Sequence, residues 1–466
     1  MIAPLKPRGR WLNVIKKVRL VNVGKVLSIR HLRAKFHGNG LKAQLFRGGA
    51  GSAVVKVGHT FLAFIVATLL ARSLGAGAYG TYSFAYALVS LMAIPAQLGI
   101  PQLVMRETAK AHACGQWELL RGLWRWSTLA VWITSGVITL VALLGLYLWE
   151  GDLNELTRQT LLASFALIPL VALGNLRGAA LRGLRRVVLG QLPELVFRPL
   201  LFVILILVAW AVGDILTSVT AMILHASAAL IAFIAGAWIL KKVKPGEIAR
   251  ASSACYHSLA WLYAAVPLGM VVGLQMLNSQ TDVVMLGFLS TSEDVGVYKV
   301  AASVSVLVSF GLQVVNMAVS PHVARLHAQG AMDRLQNVVS KSSRFSVLLA
   351  APVFLFFAVF GEWFLGFVFG AEYSHGYHAL LVLVVGQLVN ALFGSVGVLL
   401  NMTGHQVDSM RAMVMATLIN IIMNALLIPL YGTVGAGLAT ALTICFWNVY
   451  MWRVARAKLG IQTFAF

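Results

Sequence analysis

Long apolar segments separated by short polar stretches recur along almost the whole chain after about residue 50. Each one reaches the roughly 20 residues that a helix needs to cross the hydrocarbon core of a bilayer. Pro95, Gly99 and Pro101 in the second segment predict a broken helix of the kind found at transport sites. The pattern predicts twelve transmembrane helices, at about residues 53–74, 80–105, 125–148, 159–181, 187–210, 215–240, 259–285, 296–322, 345–369, 377–401, 407–430 and 433–455.

The distribution of lysine and arginine predicts which side of the membrane each connection occupies, because cytoplasmic loops carry an excess of these residues. Every second connection, together with the C-terminal end of the chain, holds 19 Lys and Arg, whereas the opposite connections hold only Arg158. The first 56 residues add 13 Lys and Arg and no acidic residue. The pattern therefore predicts that both termini lie in the cytoplasm.

The chain divides into two related halves. Gly80-Thr-Tyr82 opens an apolar helix in the first half, and Gly296-Val-Tyr298 opens one in the second half. Six helices on either side of a basic linker return the chain to the same face, so the halves are predicted to be parallel repeats. The predicted division is a basic extension at 1–50, a six-helix bundle at 51–240, a linker at 241–258, a second six-helix bundle at 259–458 and a cytoplasmic tail at 459–466.

Composition agrees with a polytopic, all-α membrane protein. Hydrophobic residues make up 59% of the 466 residues and charged residues 11%, with a mean hydropathy of +0.83. A soluble domain of this composition would expose large apolar areas. The formal charge of +22 is concentrated on the predicted cytoplasmic side, where anionic lipids attract it, so membrane lipids are expected partners and nucleic acid is not.

The sequence contains no motif for enzymatic chemistry. It has no glycine-rich loop followed by Lys and Ser or Thr that would bind nucleotide phosphates. Its three cysteines are too scattered for a disulfide framework. His375 and His378 have only Glu372 nearby, so no metal site is expected. The predicted external loops are also too short to shape an active site, and these features together predict a transporter without a cofactor.

Polar residues inside the apolar segments are the candidate functional residues, since each is costly in hydrocarbon unless it faces a partner or water. Gln275, Asn278 and Asp282 share one face of a helix, and Lys299 lies near the start of the next. Asp282 and Lys299 form either a structural ion pair at the external interface or part of a substrate or ion site. Further amides, which either pack helices together or line a hydrated path, are Asn316, Asn390 and Asn420.

Two other places combine charge with an unusual helix. Glu194 and Arg198 are four residues apart beside two prolines, Pro193 and Pro199, which predicts an ion pair in a bent helix and favours a cavity or gating role. Arg72 ends the first helix on the predicted external side, where basic residues are otherwise rare. It therefore either faces a cavity and attracts an anion, or extends to the outer headgroups.

Four stretches of the sequence resemble a known family. They are Leu70-Ala-Arg-Ser-Leu-Gly-Ala-Gly-Ala-Tyr-Gly-Thr-Tyr82, Leu98-Gly-Ile100 with Arg106-Glu107, Thr281-Asp-Val-Val-Met-Leu-Gly287 through Asp294-Val-Gly-Val-Tyr298, and Asn424-Ala-Leu-Leu-Ile-Pro-Leu-Tyr-Gly-Thr-Val-Gly-Ala-Gly437. These are similar to the loop and helix motifs of the polysaccharide-transporter (Wzx-type) flippases of the multidrug/oligosaccharidyl-lipid/polysaccharide exporter (MOP) superfamily. The likeness covers about residues 50–458, and its motifs identify the family rather than the substrate.

The resemblance implies two six-helix bundles that open alternately to the two sides of the bacterial cytoplasmic membrane. The implied cargo is a polyprenyl-diphosphate-linked oligosaccharide, a repeat unit for O-antigen lipopolysaccharide, capsule or exopolysaccharide, with polysaccharide polymerase machinery as a further partner. An anionic diphosphate with a sugar head needs cations and amides, which Arg72, Arg198, Lys299, Asn278, Asn316, Asn390 and Asn420 could supply. Asp282 or Glu194 would couple transport to protons or sodium ions.

Three other kinds of membrane protein are alternatives to a polysaccharide flippase. A multidrug and toxin exporter of the same superfamily would favour an acidic, aromatic-lined cavity, whereas the charges inside the apolar segments here are mixed. A lipid II flippase usually has two additional helices. A membrane polysaccharide polymerase or ligase would be expected to carry one long external loop with arginines, and the external loops predicted here are short and mostly acidic.

Overall fold

The structure is a computed structural model that describes residues 41–149, 151, 153–213, 215–250 and 253–465. Within these ranges every regular element is a helix, which confirms the predicted fold class. From Val55 onward the described residues belong to one compact unit. Most of the predicted basic extension, residues 1–40, lies outside the described residues.

Fifteen α-helices occur in the described part of the chain. The first half contains α1 (Leu41–Gln97), α2 (Ile100–Ala113), α3 (Trp117–Tyr147), α4 (Glu155–Phe165), α5 (Leu167–Gly183), α6 (Val187–Leu192), α7 (Arg198–Ala211), α8 (Ser218–Val243) and α9 (Gly246–Arg250), with a π-helical turn at Pro193–Phe197. The second half contains α10 (Ser258–Leu289), α11 (Ser292–Ala328), α12 (Met332–Phe369), α13 (Tyr377–Phe393), α14 (Val396–Met402) and α15 (Gln406–Leu459), with a 3₁₀ turn at Ala371–Gly376.

The two longest helices, α1 and α15, are helical hairpins. Each is interrupted by one glycine, Gly75 with φ 71° and ψ 172°, and Gly432 with φ 53° and ψ −126°. Glycine adopts such positive φ values readily because it lacks a Cβ atom. His59 and Tyr86 line the same cavity, although a straight helix would hold them about 40 Å apart. The chain therefore reverses at Gly75, which divides α1 into a first arm that ends at residue 74 and a second arm that begins at residue 76. It also reverses at Gly432, because the first arm of α15 (residues 406–431) and its second arm (residues 433–459) both bond to Asp282.

Ten helical stretches among the described residues are long and apolar enough to cross a membrane. Two of them, Gly51–Gln97 and Gln406–Leu459, are 47 and 54 residues long, which is about twice the length of a single crossing. These two are the hairpins, and counting their arms separately gives the same number of segments as the sequence pattern. The number of crossings, the side of the termini and the division into two bundles stay predictions.

Each half packs largely through its own helices. In the first half α5 packs against α2, α3 and α8, and in the second half α11 packs against α12 and α13. Contact between the halves includes α10 against α2. The largest buried apolar cluster also joins both halves, with Leu70 and Phe202 from one and Val300 and Leu380 from the other.

The paired motifs Gly80-Thr-Tyr82 and Gly296-Val-Tyr298 meet in a backbone contact between the halves. A Cβ atom placed on Gly80 would lie 1.6 Å from the carbonyl oxygen of Ser292, and one on Gly296 would lie 2.1 Å from that of Ala76. Each of these carbonyls lies four residues before the other half's glycine, so the two contacts mirror each other. Only glycine permits such a close approach of the α1 and α11 backbones.

A second glycine contact lies near the opposite end of the second arm of α1. A Cβ atom on Gly99 would lie 2.3 Å from the backbone nitrogen of Gly269, and one on Gly269 would lie 2.9 Å from that of Gly99. Gly99 has φ 72° and separates α1 from α2, so the break predicted in this segment is present. The second arm of α1 therefore touches the second half of the chain closely at both of its ends.

Candidate functional site

The π-helical turn between α6 and α7 positions Glu194 and Arg198. Pro199 has no N–H to donate to the carbonyl oxygen of Leu195, the bond that an α-helix would form there. His59 Nδ1 donates to that oxygen instead, at 3.0 Å. The segment predicted to bend at the prolines thus contains a π-helical turn. A side chain from the first arm of α1 satisfies the carbonyl that Pro199 leaves free.

Glu194 and Arg198 form the ion pair that their spacing predicts. Arg198 Nη1 lies 3.2 Å from Glu194 Oε2, and the two side chains are 15% and 14% exposed. Arg198 Nη2 also donates to the hydroxyl of Tyr86 at 3.1 Å. A Cβ atom on Gly174 would lie 2.0 Å from Glu194 Oε1, so the backbone of α5 packs directly against the carboxylate. The guanidinium is thus bonded to one side chain of the π-helical turn and to one side chain of α1.

A cavity of about 250 Å³ lies beside this pair and is called here the Arg198 cavity. Lys299 and Ser303 of α11 line it from the second half of the chain. Lys299 has no ion-pair partner within 4.0 Å in the described residues. The cavity therefore holds two cations and one carboxylate, an arrangement suited to an anionic group.

Aromatic rings form much of the remaining wall of the Arg198 cavity. The stacked rings are Tyr79, Tyr82, Tyr86, Phe202 and His225. Tyr82 shares a hydrogen bond of 2.7 Å between its hydroxyl and His225 Nδ1. Ring faces and hydroxyl groups of this kind pack against sugars as well as against organic cations, so the charges rather than the rings distinguish the cargo.

Asp282 lies in a separate buried cluster, the Asp282 cluster, and its carboxylate is 7% exposed. It accepts four hydrogen bonds, from Tyr298 Oη at 2.8 Å, Thr440 Oγ1 at 2.5 Å, Asn420 Nδ2 at 3.0 Å and Asn424 Nδ2 at 2.7 Å. The amide oxygens of the two asparagines are buried and have no hydrogen-bond partner among the residues that the structure describes. The cluster thus draws on α10, α11 and both arms of α15.

The Asp282 cluster has the composition of a site for a proton or a small monovalent cation. No Lys, Arg or His among the described residues lies within 4.0 Å of the carboxylate, and a buried charge is costly without a partner. An asparagine amide that turns over presents its oxygen in place of its NH₂ group. Together with the carboxylate and the Thr440 hydroxyl, these oxygens suit a hard cation, and α11 links the cluster to the Arg198 cavity through consecutive residues, Tyr298 and Lys299.

Tyr298→Phe is expected to lower the free energy of unfolding by about 1.5–3 kcal/mol, because it removes a hydrogen bond to a charged acceptor. Tyr373→Phe is the matched control, since Tyr373 is equally buried but donates to a neutral carbonyl, that of Ala71, at 3.1 Å. Its expected loss is about 0.5–1.5 kcal/mol. Unfolding of the detergent-solubilised protein measures both. Equal losses in the two variants would argue against an ionised Asp282.

The structure places the other predicted amides away from the Arg198 cavity. Asn278 Nδ2 donates to Thr417 Oγ1 at 2.8 Å, and Asn390 Oδ1 accepts from Asn448 Nδ2 at 3.1 Å. The amide oxygen of Asn316 is buried and accepts no hydrogen bond from the described part of the chain. Asn420 belongs to the Asp282 cluster, and the ion pair considered between Asp282 and Lys299 does not form. Of the predicted residues, the Arg198 cavity therefore brings together Glu194, Arg198 and Lys299.

Arg72 does not line the Arg198 cavity. Its Nε donates to the carbonyl oxygen of Val368 at 2.7 Å, and its Nη2 donates to that of Phe367. These carbonyls end α12, where a cation interacts favourably with the helix dipole. Its contacts assign it the role of a helix cap.

Sequence reasoning overlooked several residues that complete the two sites. Tyr82 and Tyr298 carried a signal, since they occupy equivalent places in the paired motifs and each bonds a polar partner in its own half. His225, alone in an apolar helix, gave no indication that it would meet Tyr82. Thr440 was likewise indistinguishable from a helix-packing threonine.

Comparison with known proteins decides the family. The sequence model described as polysaccharide biosynthesis protein matches residues 45–327, more than half of the chain. The chain belongs to this polysaccharide biosynthesis protein family. A second model, described as MatE, matches residues 267–426 of this family member. Both matches agree with the resemblance inferred from the loop and helix motifs.

Individual relatives of this polysaccharide biosynthesis family member are flippases and transporters. The probable low-salt glycan biosynthesis flippase Agl15 of Haloferax volcanii is 26% identical over 82% of this chain and 77% of its own. An inward-facing multidrug resistance MATE family transporter of the MOP superfamily has a TM-score of 0.73 at 14% identity, over 86% of this chain and 94% of its own. The lipid II flippase MurJ in an inward closed conformation has a TM-score of 0.66 at 12% identity, over 87% of each chain. The chain is a multi-pass membrane protein with the fold of the MOP superfamily.

Proposed function

We propose that the protein is a flippase that moves polyprenyl-diphosphate-linked oligosaccharides from one leaflet of the cytoplasmic membrane to the other. It is a transporter rather than an enzyme. The observation that carries the proposal is the Arg198 cavity, where cations from both halves, Arg198 and Lys299, face one carboxylate. The net positive charge favours an anionic diphosphate, and the hydroxyl groups and rings favour the attached sugars.

Alternating access would carry the head group of the lipid, its diphosphate and sugars, across the membrane while the prenyl chain stays in the bilayer. The two glycine contacts, Gly80 with Gly296 and Gly99 with Gly269, close opposite ends of the interface between the halves. Separation at one end while the other remains in contact would expose the interior to one side at a time. The glycan flippase name of the Haloferax relative supports this cargo, and since that relative is archaeal, we extend the proposal to the cytoplasmic membrane of prokaryotes rather than of bacteria alone.

The test is leaflet translocation in proteoliposomes, comparing a fluorescent polyprenyl-diphosphate oligosaccharide with a cationic dye. Protein-dependent movement of the lipid is the expected result, and Lys299→Gln should slow it by about tenfold because one charge-assisted contact is lost. Lys341→Gln is the control, since Lys341 is exposed and lies outside the Arg198 cavity. Movement of the dye alone would identify an exporter of organic cations, and an unaltered rate in Lys299→Gln would remove the proposed role of this lysine.

Coupling to a proton or sodium gradient is proposed to reside in Asp282. Asp282→Asn removes the charge but keeps the approximate shape, so translocation should lose its stimulation by the gradient and fall to the rate measured without one. Glu194→Gln tests the other carboxylate and should retain the stimulation, because Glu194 is already neutralised by Arg198. Rates with imposed proton or sodium gradients distinguish the two, and stimulation that survives in Asp282→Asn would exclude this carboxylate as the coupling site.

A further inference from the structure

A second polar cavity, the Arg182 cavity, lies between the halves beside the Gly99 and Gly269 contact. Its volume is about 250 Å³, as large as that of the Arg198 cavity. The second arm of α1, α2 and α5 line it from the first half, and α10 lines it from the second. The sequence pattern assigned Arg182 to a cytoplasmic connection, but its side chain faces this interior space.

The lining of the Arg182 cavity combines one cation with three amides. Its polar members are Arg182, Gln97, Gln102, Asn175 and Ser90, and none of the acidic residues that the structure describes lines it. Asn175 Nδ2 donates to Gln97 Oε1 at 3.1 Å, which orients both amides. Arg182 uses only its Nε, which donates to the carbonyl oxygen of Gly178 at 3.3 Å, so its terminal nitrogens donate to no other described residue.

A guanidinium with two free terminal nitrogens is a bidentate donor for a phosphate, and amides both donate to and accept from sugar hydroxyls. Because no carboxylate is present to neutralise the guanidinium, the cavity attracts an anion. Gly99, Gly269 and Gly273 also line the cavity and present backbone rather than side chains to it. The chemistry therefore matches a diphosphate with its first sugar.

One face of the second arm of α1 contributes side chains to both cavities. Ser83 and Tyr86 line the Arg198 cavity, whereas Ser90 and Gln97 line the Arg182 cavity. Their spacing of three, four and seven residues places all of them on the same side of the helix. This face would guide the diphosphate head group of the lipid from one cavity to the other.

We propose that the Arg182 cavity is a separate diphosphate-binding site that receives the head of the lipid before the Arg198 cavity does. The proposal rests on the proposed function for the identity of the lipid, but the site itself is defined by its affinity for a diphosphate. It lies at the end of the molecule that the charge pattern predicts to face the cytoplasm. Opening of the Gly99 and Gly269 contact would admit the head at that end, while the Gly80 and Gly296 contact keeps the other end closed.

The test uses matched cysteine reporters in the full chain, purified in detergent after its three cysteines are replaced by serine. Ser90→Cys reports on the Arg182 cavity, and Ser83→Cys reports on the Arg198 cavity from the same face of the same helix. The rate of alkylation by a water-soluble maleimide is measured with and without inorganic pyrophosphate. We expect pyrophosphate to slow labelling at both positions by about fivefold or more.

Arg182→Gln should make protection at position 90 require about tenfold to a hundredfold more pyrophosphate, while protection at position 83 stays unchanged. Arg186→Gln removes the same charge at an exposed residue of the same connection that does not line the cavity, and it should leave both unchanged. Protection at position 90 that does not depend on Arg182 would overturn the proposal, as would a cysteine at position 90 that never reacts or is never protected.

Failure of this inference is distinguishable from failure of the proposed function. Pyrophosphate binding that depends on Arg182, in a protein that does not move the polyprenyl-diphosphate lipid, would retain the site and reject the flippase. Translocation of the lipid at an unchanged rate and apparent affinity in Arg182→Gln would retain the flippase and reject the second site.

Discussion

Gly80→Ala is expected to prevent the two halves from closing at the paired motifs and to reduce translocation strongly. The added Cβ atom would lie 1.6 Å from the carbonyl oxygen of Ser292 and 2.9 Å from the backbone nitrogen of Gly296. Neither neighbour is a flexible side chain, so the helices themselves must move apart. Overpacking of this kind costs about 1–3 kcal/mol, which would lower the population of the closed state by roughly 5- to 150-fold.

Gly77→Ala is the matched control for this substitution. It adds the same methyl group one turn earlier in the helix, where the nearest atom is the hydroxyl oxygen of Ser292 at 3.9 Å, an ordinary contact. Translocation and maleimide labelling of Ser83→Cys in proteoliposomes, with reagent added outside, would be measured for both. Gly80→Ala should label faster than the parent and translocate more slowly, and Gly77→Ala should resemble the parent. Identical behaviour of the two variants would show that this contact does not gate the interior.

Arg198→Gln is expected to destabilise the protein by about 3 kcal/mol, because it leaves Glu194 buried without its partner. Glu194→Gln alone should also destabilise it, since the guanidinium then keeps only Tyr86 as a partner. Replacing both residues by glutamine should recover most of the lost stability, because two neutral amides of similar size avoid the unpaired charge.

Across these two single variants and the double variant, the rate of translocation should not follow stability. The double variant should unfold near the temperature of the parent yet move the polyprenyl-diphosphate lipid at least about tenfold more slowly, since the cation that meets the diphosphate is absent. Thermal unfolding in detergent and flux in proteoliposomes give the two readouts. Flux that recovers together with stability would mean that the pair only maintains the helix bend, and the Arg198 cavity would then lose its proposed role.

Helix positions were predictable to the extent that local rules set them. The length limit on a membrane crossing separated 53–74 from 80–105 and 407–430 from 433–455, and the structure reverses at the intervening Gly75 and Gly432. The sequence pattern treated 377–401 as continuous, whereas α13 ends at Phe393 and Gly394 adopts φ 62°. A Cβ atom at Gly394 would lie 2.0 Å from Ser343 Oγ, so a tertiary contact with α12 accompanies this break.

The candidate site likewise combines features set by local spacing with features set by tertiary packing. Glu194 and Arg198 were predictable as a pair because helical spacing alone brings them together. Lys299 joins them only through packing of the two halves, and Asp282 meets Asn420 across 138 residues of chain. Arg72 could be assigned to a helix end but not to α12, because the carbonyls that it caps belong to a distant segment. Periodicity identifies the face of a helix, and only the tertiary structure identifies what that face meets.

The mirrored contact of Gly80 and Gly296 has the form of an isologous dimer interface, in which residue i meets j and j meets i. Two identical chains joined in this way would place one glycine against its own copy, and every substitution near the two-fold axis would change both subunits at once. Two halves of a single chain can change independently of each other. In the present chain Tyr82 meets His225 beside Arg198, whereas its counterpart Tyr298 meets Asp282. Within one chain, equivalent positions can therefore have opposite electrostatic partners, which no homodimer can do.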